Sequence, residues 1–395
     1  MNILTFSTLF PNAVRPSHGI FVETRLRHLL QTGRVKARVV APVPWFPSAN
    51  ARYGNYAAFA RVPREEDVRG ISIFHPRYPL LPKVGMTLAP WLLAQAIKPV
   101  LERIVREGYD FDLIDAHYFY PDGVAAVMLG RSLNKPVVIT ARGSDLNLIP
   151  RHRLPRRMIQ WAARHASGII TVSAALKNVL VDLGVPAGRV EVLRNGVDLQ
   201  LFHPAAQTER RTGAGLDGRT LLSVGNLVPL KGHDLAIRAL PLLPGVALRI
   251  AGDGPERANL MALAVHAGVA DRVRFLGTLA QPELRGHYGT VDALVLASSR
   301  EGWANVLLES MACGTPVIAT GVGGTPEVVA APEAGVLLAE RTHEAIADGA
   351  KQLFSHYPDR AATRRYAERF NWDDTTLGQL ALFERVIAGY ARGSA

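Results

Sequence analysis

Residues 293–320 read ALVLASSREGWANVLLESMACGTPVIAT, and this stretch decides how the chain folds. Ala293–Ala297 is a short run of alanine, leucine and valine, the pattern of a strand buried on both faces. Serines and charged residues interrupt it. From Asn305 to Ala312 the apolar side chains recur at helical spacing, with Asn305 placed to cap the helix and Gly314 with Pro316 placed to stop it. A second apolar run, Pro316–Thr320, follows at once. Strand, loop, helix and strand in this order make a unit of a parallel sheet, and Glu301 and Gly302 fall in the loop at the first strand's carboxyl end. Open α/β sheets gather their ligands there. The helix N-terminus offers free N–H groups to an anion, and Gly302 lets the backbone approach closely.

The rhythm extends outward in both directions. Towards the N-terminus of this half, strands are expected at Thr220–Val224, Ala247–Ala251 and Val273–Leu276, with helices near His233–Leu240, Glu256–Ala267 and Glu283–Tyr288. The first half shows strands at Ile3–Phe6, Val35–Ala41, Ile71–Phe74, Leu113–Ala116, Pro136–Thr140, Gly168–Val172 and Val190–Leu193. Helices such as Phe21–Gln31, Val124–Ser132 and Ala174–Leu183 lie between them. The expected fold class is therefore α/β, two Rossmann-like doubly wound domains whose ligand sits in a cleft between them. The Asn195-Gly196 pair is a strong turn signal, and a hinge is expected over 195–204. The domains expected are 1–198, 199–375 and a C-terminal helix over 376–395 that packs back on the first domain.

At 395 residues the chain is long for one core and suits two. Hydrophobic residues make up 48% and charged residues 20%, which excludes a disordered chain and supplies apolar material for both domains. The single cysteine, Cys313, has no intramolecular disulfide partner, which fits a reducing compartment. The start, Met1-Asn2-Ile3-Leu4-Thr5-Phe6, lacks an early Lys or Arg and meets a turn at Pro11-Asn12, so a buried strand explains it better than a signal peptide. The apolar stretch Val84–Leu101 is interrupted by Pro90, Gln95, Lys98 and Pro99, which argues against a membrane-spanning helix. A formal net charge of +11 attracts phosphates, nucleic acids and anionic lipids alike and selects none of them. The run Arg151-His152-Arg153-Leu154-Pro155-Arg156-Arg157, followed by Trp161, reads either as a solvated helix face or as a contact for an anionic membrane. Aromatic and basic residues are not interleaved as in a platform for single strands, so nucleic acid is not expected as a partner.

Glu309 lies one turn into the 305–312 helix, where its carboxylate can accept hydrogen bonds from two adjacent hydroxyls such as those of a ribose; Glu301 can hold hydroxyls of a sugar in the same way. Taken singly, both are also ordinary acids near a helix start. In context the segment closely resembles the signature of family 4 retaining glycosyltransferases of the GT-B fold. That signature has two glutamates separated by seven residues and followed by Met311-Ala312-Cys313-Gly314-Thr315-Pro316-Val317. The likeness continues through Thr320–Glu327, Ala251–Pro255 and Phe275–Gly277, so the recognisable segments run from the first strand to about residue 330.

The resemblance implies site roles. Glu301, Gly302 and the amides of Asn305 and Val306 would contact the transferred sugar, and Glu309 the nucleotide ribose. In Ser223–Gly232 the family has an arginine and a lysine that clamp the two phosphates; Lys231 matches the lysine, whereas Asn226 stands in the arginine's place and removes half of the charge. The loop Phe10–Glu23 resembles that of the teichuronic acid and exopolysaccharide branch, with the Gly19 backbone facing the diphosphate. His117, in Asp115–Gly123, resembles the active-site histidine, so His117 and Glu301 are the catalytic candidates. Arg142 replaces a usual histidine in Thr140–Asp145 and is a candidate contact for acceptor phosphate or a compensation for Asn226.

The activity so implied is transfer of a hexose-type sugar, with retention, from a UDP- or GDP-sugar to a saccharide or lipid-linked saccharide in bacterial cell-surface polysaccharide synthesis. No cofactor is expected beyond the nucleotide sugar as co-substrate, and no metal, since the histidines and the one cysteine lack ligand spacing. A cytoplasmic protein is expected, with the inner face of an anionic membrane as a candidate partner. Two rivals remain: a nucleotide-sugar epimerase on the same architecture, which needs no acceptor, and a basic binding module for nucleic acid or membrane.

Overall fold

The computed structural model describes residues 1–80, 85–204 and 218–393. Val84, where the apolar stretch was expected to begin, lies outside the described residues, as do parts of the loop 76–90 and of the linker region after Pro204. The chain forms two compact units, one of residues 1–194 joined by the chain from Asp373 onward, the other of residues 195–372.

The first unit is built on an eight-stranded sheet of β1 (Asn2–Phe6), β2 (Lys36–Val40), β4 (Glu65–Val68), β5 (Ile71–Phe74), β7 (Leu113–His117), β8 (Val137–Ala141), β9 (Gly168–Thr171) and β10 (Val190–Val192). A small separate pair joins β3 (Val43–Pro44) to β6 (Arg77–Tyr78). The large sheet runs in the order β10-β9-β8-β7-β1-β2-β5-β4. All its pairings are parallel except β4 with β5. The central strands β7, β8 and β9 are buried at every position, which is why they read as unbroken apolar runs in the sequence. Ile3, Leu26, Leu29, Val39, Leu113, Val138, Ile170 and Phe383 share one core, so the C-terminal helix Asp373–Gly393 is part of this unit's packing. The stretch 85–106 is a single helix with Pro90 and Pro99 inside it. Its buried face, Leu93, Ala94, Ile97, Leu101 and Ile104, recurs at helical spacing and outweighs the two lost backbone bonds. Among the described residues no helix is long and apolar enough to cross a membrane.

The second unit carries a six-stranded, wholly parallel sheet of β11 (Thr220–Val224), β12 (Ala247–Ala251), β13 (Val273–Gly277), β14 (Ala293–Leu296), β15 (Val317–Thr320) and β16 (Gly335–Leu338). Its order is β13-β12-β11-β14-β15-β16. Leu221, Leu248, Ile250, Val295 and Ile318 meet Ala236, Ile237, Leu260 and Ile346 from three helices on one face. Both units are thus Rossmann-like, and the strands and helices that were read from sequence fall within about two residues of their observed boundaries. In each sheet the chain reverses its direction of travel once. The switch lies between β1 and β7 in the first unit and between β11 and β14 in the second. The crevice outside the strand ends at such a point is where open sheets take ligands, so topology alone points to the loops after Phe6 and His117 and to those after Val224 and Leu296.

Candidate functional site

In the second unit, the loops after β11 and β14 are fastened to one another. Ser299 N–H donates to the Leu230 carbonyl at 2.9 Å. Gly232, at φ 69°, caps the helix His233–Ala239, and a Cβ there would come within 2.2 Å of the Ala297 oxygen. Only glycine fits both the backbone angle and the approach. The result is that Lys231 and Glu301, seventy residues apart in sequence, meet: Lys231 Nζ lies 2.6 Å from Glu301 Oε1, with both side chains mostly buried. A third loop closes over them. Gly323, at φ 54°, sits against the Glu301 carbonyl so closely that a Cβ would approach it to 1.9 Å.

The helix Asn305–Ala312 begins beside this pair, as read from sequence, but its N-cap position is Ala304, so the expectation that Asn305 caps it is corrected. Asn305 is the first helical residue, and its Oδ1 accepts from Asn195 Nδ2 at 3.3 Å. Trp303 Nε1 donates to the Asn195 carbonyl at 3.0 Å, so the turn at 195 fixes the start of the helix from two sides. Helix geometry leaves the Asn305 and Val306 N–H groups without intrahelical acceptors, while Leu307 N–H bonds to Ala304. Glu309 follows one turn later. The hydroxyl of Tyr288, itself fully buried, donates to Glu309 Oε2 at 2.9 Å. Burial pushes the Glu309 carboxyl up to about 7, against a smaller downward pull from the tyrosine bond. A half-buried carboxylate raised in this way gains from any hydroxyl that comes to hydrogen-bond it. Nearby, His233 is buried between Ser223 Oγ (2.8 Å) and the Asn226 carbonyl (3.3 Å), and burial lowers it to about 4, so it is neutral. The Asn226 side chain is exposed.

In the first unit the switch-point loops are equally ordered. Asp122, wholly buried, accepts from Thr8 N–H at 2.6 Å and from Thr8 Oγ1, holding the loop after β1; burial pushes its carboxyl up to about 7. Gly19 caps the helix Ile20–Gln31 at φ 68°, where a Cβ would meet the Leu9 backbone at 2.4 Å. Asp115 and His117 are two residues apart on β7 and so face the same way. Asp115 Oδ2 accepts from His117 Nε2 (3.1 Å) and from Gln379 (3.3 Å), whose own Oε1 accepts from Arg25 Nε (2.6 Å). Arg142 Nη2 lies 2.6 Å from His117 Nδ1. Arginine has only donors, so Nδ1 accepts and the ring proton sits on Nε2, towards Asp115. Burial, assisted by Arg142, lowers His117 to about 4. His117 is 1% exposed with both nitrogens engaged, and Arg142 is 9% exposed with its guanidinium turned into this network and over the Phe21 ring. The residues that the sequence placed at this end of the sheet therefore do come together, as a closed, neutral-histidine cluster rather than as open groups.

Of the residues singled out from sequence, the structure gathers Lys231, Glu301, Gly302, Asn305, Val306 and Glu309 at one switch point, with Asn226 on its rim. Gly19, His117 and Arg142 lie at the other. Sequence reading did not find Tyr288, which anchors Glu309, nor the paired role of Asn195; neither carries a local signal, since each acts through a partner 21 or 110 residues away.

Comparison with known proteins places these features in company. Residues 19–201 match the family described as Glycosyltransferase Family 4, and residues 206–370 the one described as Glycosyl transferases group 1. A D-inositol 3-phosphate glycosyltransferase of Frankia alni is 32% identical over 329 residues, covering 76% of this chain and 81% of that protein. Another, of Mycolicibacterium gilvum, is 36% identical over 303 residues, covering 72% and 68%. Among solved structures, the sucrose-phosphate synthase of Thermosynechococcus elongatus superposes with a TM-score of 0.79 at 20% identity, covering 98% of this chain and 100% of that one. The Anabaena protein HepE, in complex with UDP-glucose, superposes at 0.71 and 19% identity, covering 99% and 100%. At such identities these likenesses show the fold.

Proposed function

The chain belongs to the family 4 glycosyltransferases, enzymes that move a sugar from a nucleotide sugar, and we propose from this that the 225–232 and 297–309 loops of the second unit hold the donor. The observation that carries the reading is the convergence of Lys231, Glu301 and Glu309 at the β11/β14 switch point. Lys231 and Glu301 neutralise each other. A nucleotide diphosphate sugar offers both a better partner: phosphate oxygens for the ammonium and sugar hydroxyls for the carboxylate, with the amides of Asn305 and Val306 at the adjacent helix start. Glu309, one turn on, takes the ribose hydroxyls.

The mechanism we propose is front-face substitution with retention. The bond from the anomeric carbon to the diphosphate oxygen breaks as the acceptor hydroxyl bonds to the same face of that carbon, and the hydroxyl proton passes to the departing phosphate oxygen. Lys231 and the helix amides stabilise the negative charge that builds on the leaving group, in a site where water is displaced by fixed dipoles. His117, neutral and hydrogen-bonded at both nitrogens within the first unit, is given no part as a proton carrier in this mechanism.

The acceptor we propose is a saccharide or lipid-linked saccharide of cell-surface polysaccharide synthesis, met at the cytoplasmic face of the membrane. Support for a membrane contact comes from the first unit. Met86, Leu88 and Trp91 are 43%, 47% and 54% exposed on the helix Gly85–Arg106, and Leu154 is 52% exposed on the helix Arg153–His165 among exposed Arg153, Arg156 and Arg157. The Tyr120 hydroxyl touches the Met86 carbonyl and the Met158 sulfur, tying the two helices together. Apolar and basic side chains so mixed suit an anionic interface. A second acceptor class, a phosphorylated polyol, is favoured by the naming of the relatives from Frankia and Mycolicibacterium.

The test is a thermal-shift screen of UDP and GDP and their sugars, followed by transfer assays with the nucleotide found. A ligand that prefers the folded protein raises its melting temperature. Product with inositol phosphate would favour the second acceptor class, and failure to co-sediment with anionic vesicles at low salt would remove the membrane contact. Consumption of a nucleotide sugar to its epimer without any acceptor would instead indicate an isomerase.

A further inference from the structure

This inference rests on the donor reading of the second unit and deepens it. A diphosphate carries more charge than one ammonium can neutralise, and the family's arginine is replaced here by the exposed Asn226. The basic side chains placed at the β11 and β14 loops can be taken in turn. His233 is neutral, its two nitrogens spent on Ser223 and the Asn226 carbonyl. Arg341 gives Nε to the Ala297 carbonyl at 2.8 Å and Nη2 to the Pro229 carbonyl at 3.1 Å, so it pins the two loops together. Lys231 pairs with Glu301.

Arg300 is different. It immediately precedes Glu301 at the carboxyl end of β14, and it is half-buried. Its Nε is shielded from solvent and has no hydrogen-bond partner, and among the described residues it makes no ion pair. A guanidinium N–H withdrawn from water and left without an acceptor is costly, and natural proteins rarely carry that cost without a reason. The loop that bears it is held against the Lys231 loop by the bond from Ser299 to Leu230, so its backbone lies beside the one lysine that the donor reading uses. We propose that Arg300 is the second cation of the diphosphate site, supplying from the β14 loop the charge that Asn226 withholds from the β11 loop. Its planar fork matches two phosphate oxygens at once, and its absence of a competing carboxylate leaves it ready for them. Lys231 must first give up Glu301, whereas Arg300 gives up nothing.

Calorimetric titration of the full chain with uridine, UMP and UDP, and with guanosine, GMP and GDP, isolates the contribution of the second phosphate. The wild type should prefer the diphosphate to the monophosphate of its base. Arg300→Gln should reduce that preference by about ten- to a hundredfold, the worth of a charge-assisted contact, while leaving nucleoside affinity nearly unchanged; Arg300→Lys should keep part of it. Thermal melts accompany each titration, and Arg300→Met provides a second neutral variant should the glutamine variant not fold. The proposal is overturned if the diphosphate preference survives in both neutral variants while Lys231→Gln abolishes it. If the wild type binds neither UDP nor GDP, the donor reading itself fails, and that result is visible without any variant.

Discussion

Replacing Glu309 by Gln should stabilise the enzyme and disable it in the same stroke. The fold raises the Glu309 carboxyl from 4.5 to about 7, mainly by burial. A group raised in this way contributes fully to stability below its unfolded value and loses that contribution as pH climbs through the folded value. Over the interval from 4.5 to about 7, at about 1.4 kcal/mol for each pH unit, ionised Glu309 costs the second unit about 3 kcal/mol at pH 8 and less than about 1 kcal/mol at pH 5. Glutamine is neutral throughout and keeps a carbonyl oxygen for the Tyr288 hydroxyl. For a unit of this size each kcal/mol moves the melting temperature by roughly 2–4 °C, so Glu309→Gln should melt up to roughly 10 °C above wild type at pH 8, with the gap closing towards pH 5. Calorimetric scans across that range measure it. The same variant should bind the nucleotide about ten- to a hundredfold more weakly, since an ionised acceptor for the ribose is lost. A melting gap that does not change between pH 5 and pH 8, or unimpaired nucleotide binding, would refute the reasoning.

Wild-type affinity for the nucleotide should itself fall by about tenfold between pH 8 and pH 6, as Glu309 takes up a proton, and isothermal titration in matched buffers reads this directly. Tyr288→Phe removes a bond that favours the charged form, so the midpoint of that profile should move to higher pH; an unmoved midpoint would detach Tyr288 from the site. Gly323→Ala should cost well over about 1 kcal/mol, because φ is 54° and the new Cβ would press on the Glu301 carbonyl, and it should weaken sugar-nucleotide binding more than binding of the bare nucleotide. The rate of transfer should be insensitive to EDTA, since charge neutralisation is assigned to Lys231, Arg300 and helix amides; restoration of a chelated enzyme by added magnesium would count against that assignment.

The parts of the architecture that sequence discloses are those where one physical cause dominates. Strands β7, β8, β14 and β15 are buried on both faces, so their composition betrays them. The strand β4 is not legible because its residues, Glu65-Glu66-Asp67-Val68, pair antiparallel at a sheet edge where water, not the core, sets the composition. The helix from Gly85 is obscured by Pro90 and Pro99, whose local penalty is overridden by five buried apolar side chains. At the site, Glu301, Glu309 and Lys231 are visible as a motif, but the ion pair between Lys231 and Glu301 is a product of topology, made when β11 and β14 become neighbours. His117 shows the converse. A histidine at a strand end is easy to see, while its confinement between Asp115 and Arg142 depends on Gln379 and Arg25 from distant helices, which no local pattern announces. Arg300 sits inside the best-marked stretch of the chain, and what distinguishes it is a missing partner, a property only a folded structure has.

A structure of the enzyme with UDP or GDP, whichever the titrations select, tests the donor site most directly. The account predicts Lys231 Nζ drawn off Glu301 and onto a phosphate oxygen, with the Glu309 carboxylate within hydrogen-bond distance of both ribose hydroxyls. A nucleotide bound elsewhere, with the Lys231 to Glu301 pair intact, would contradict it.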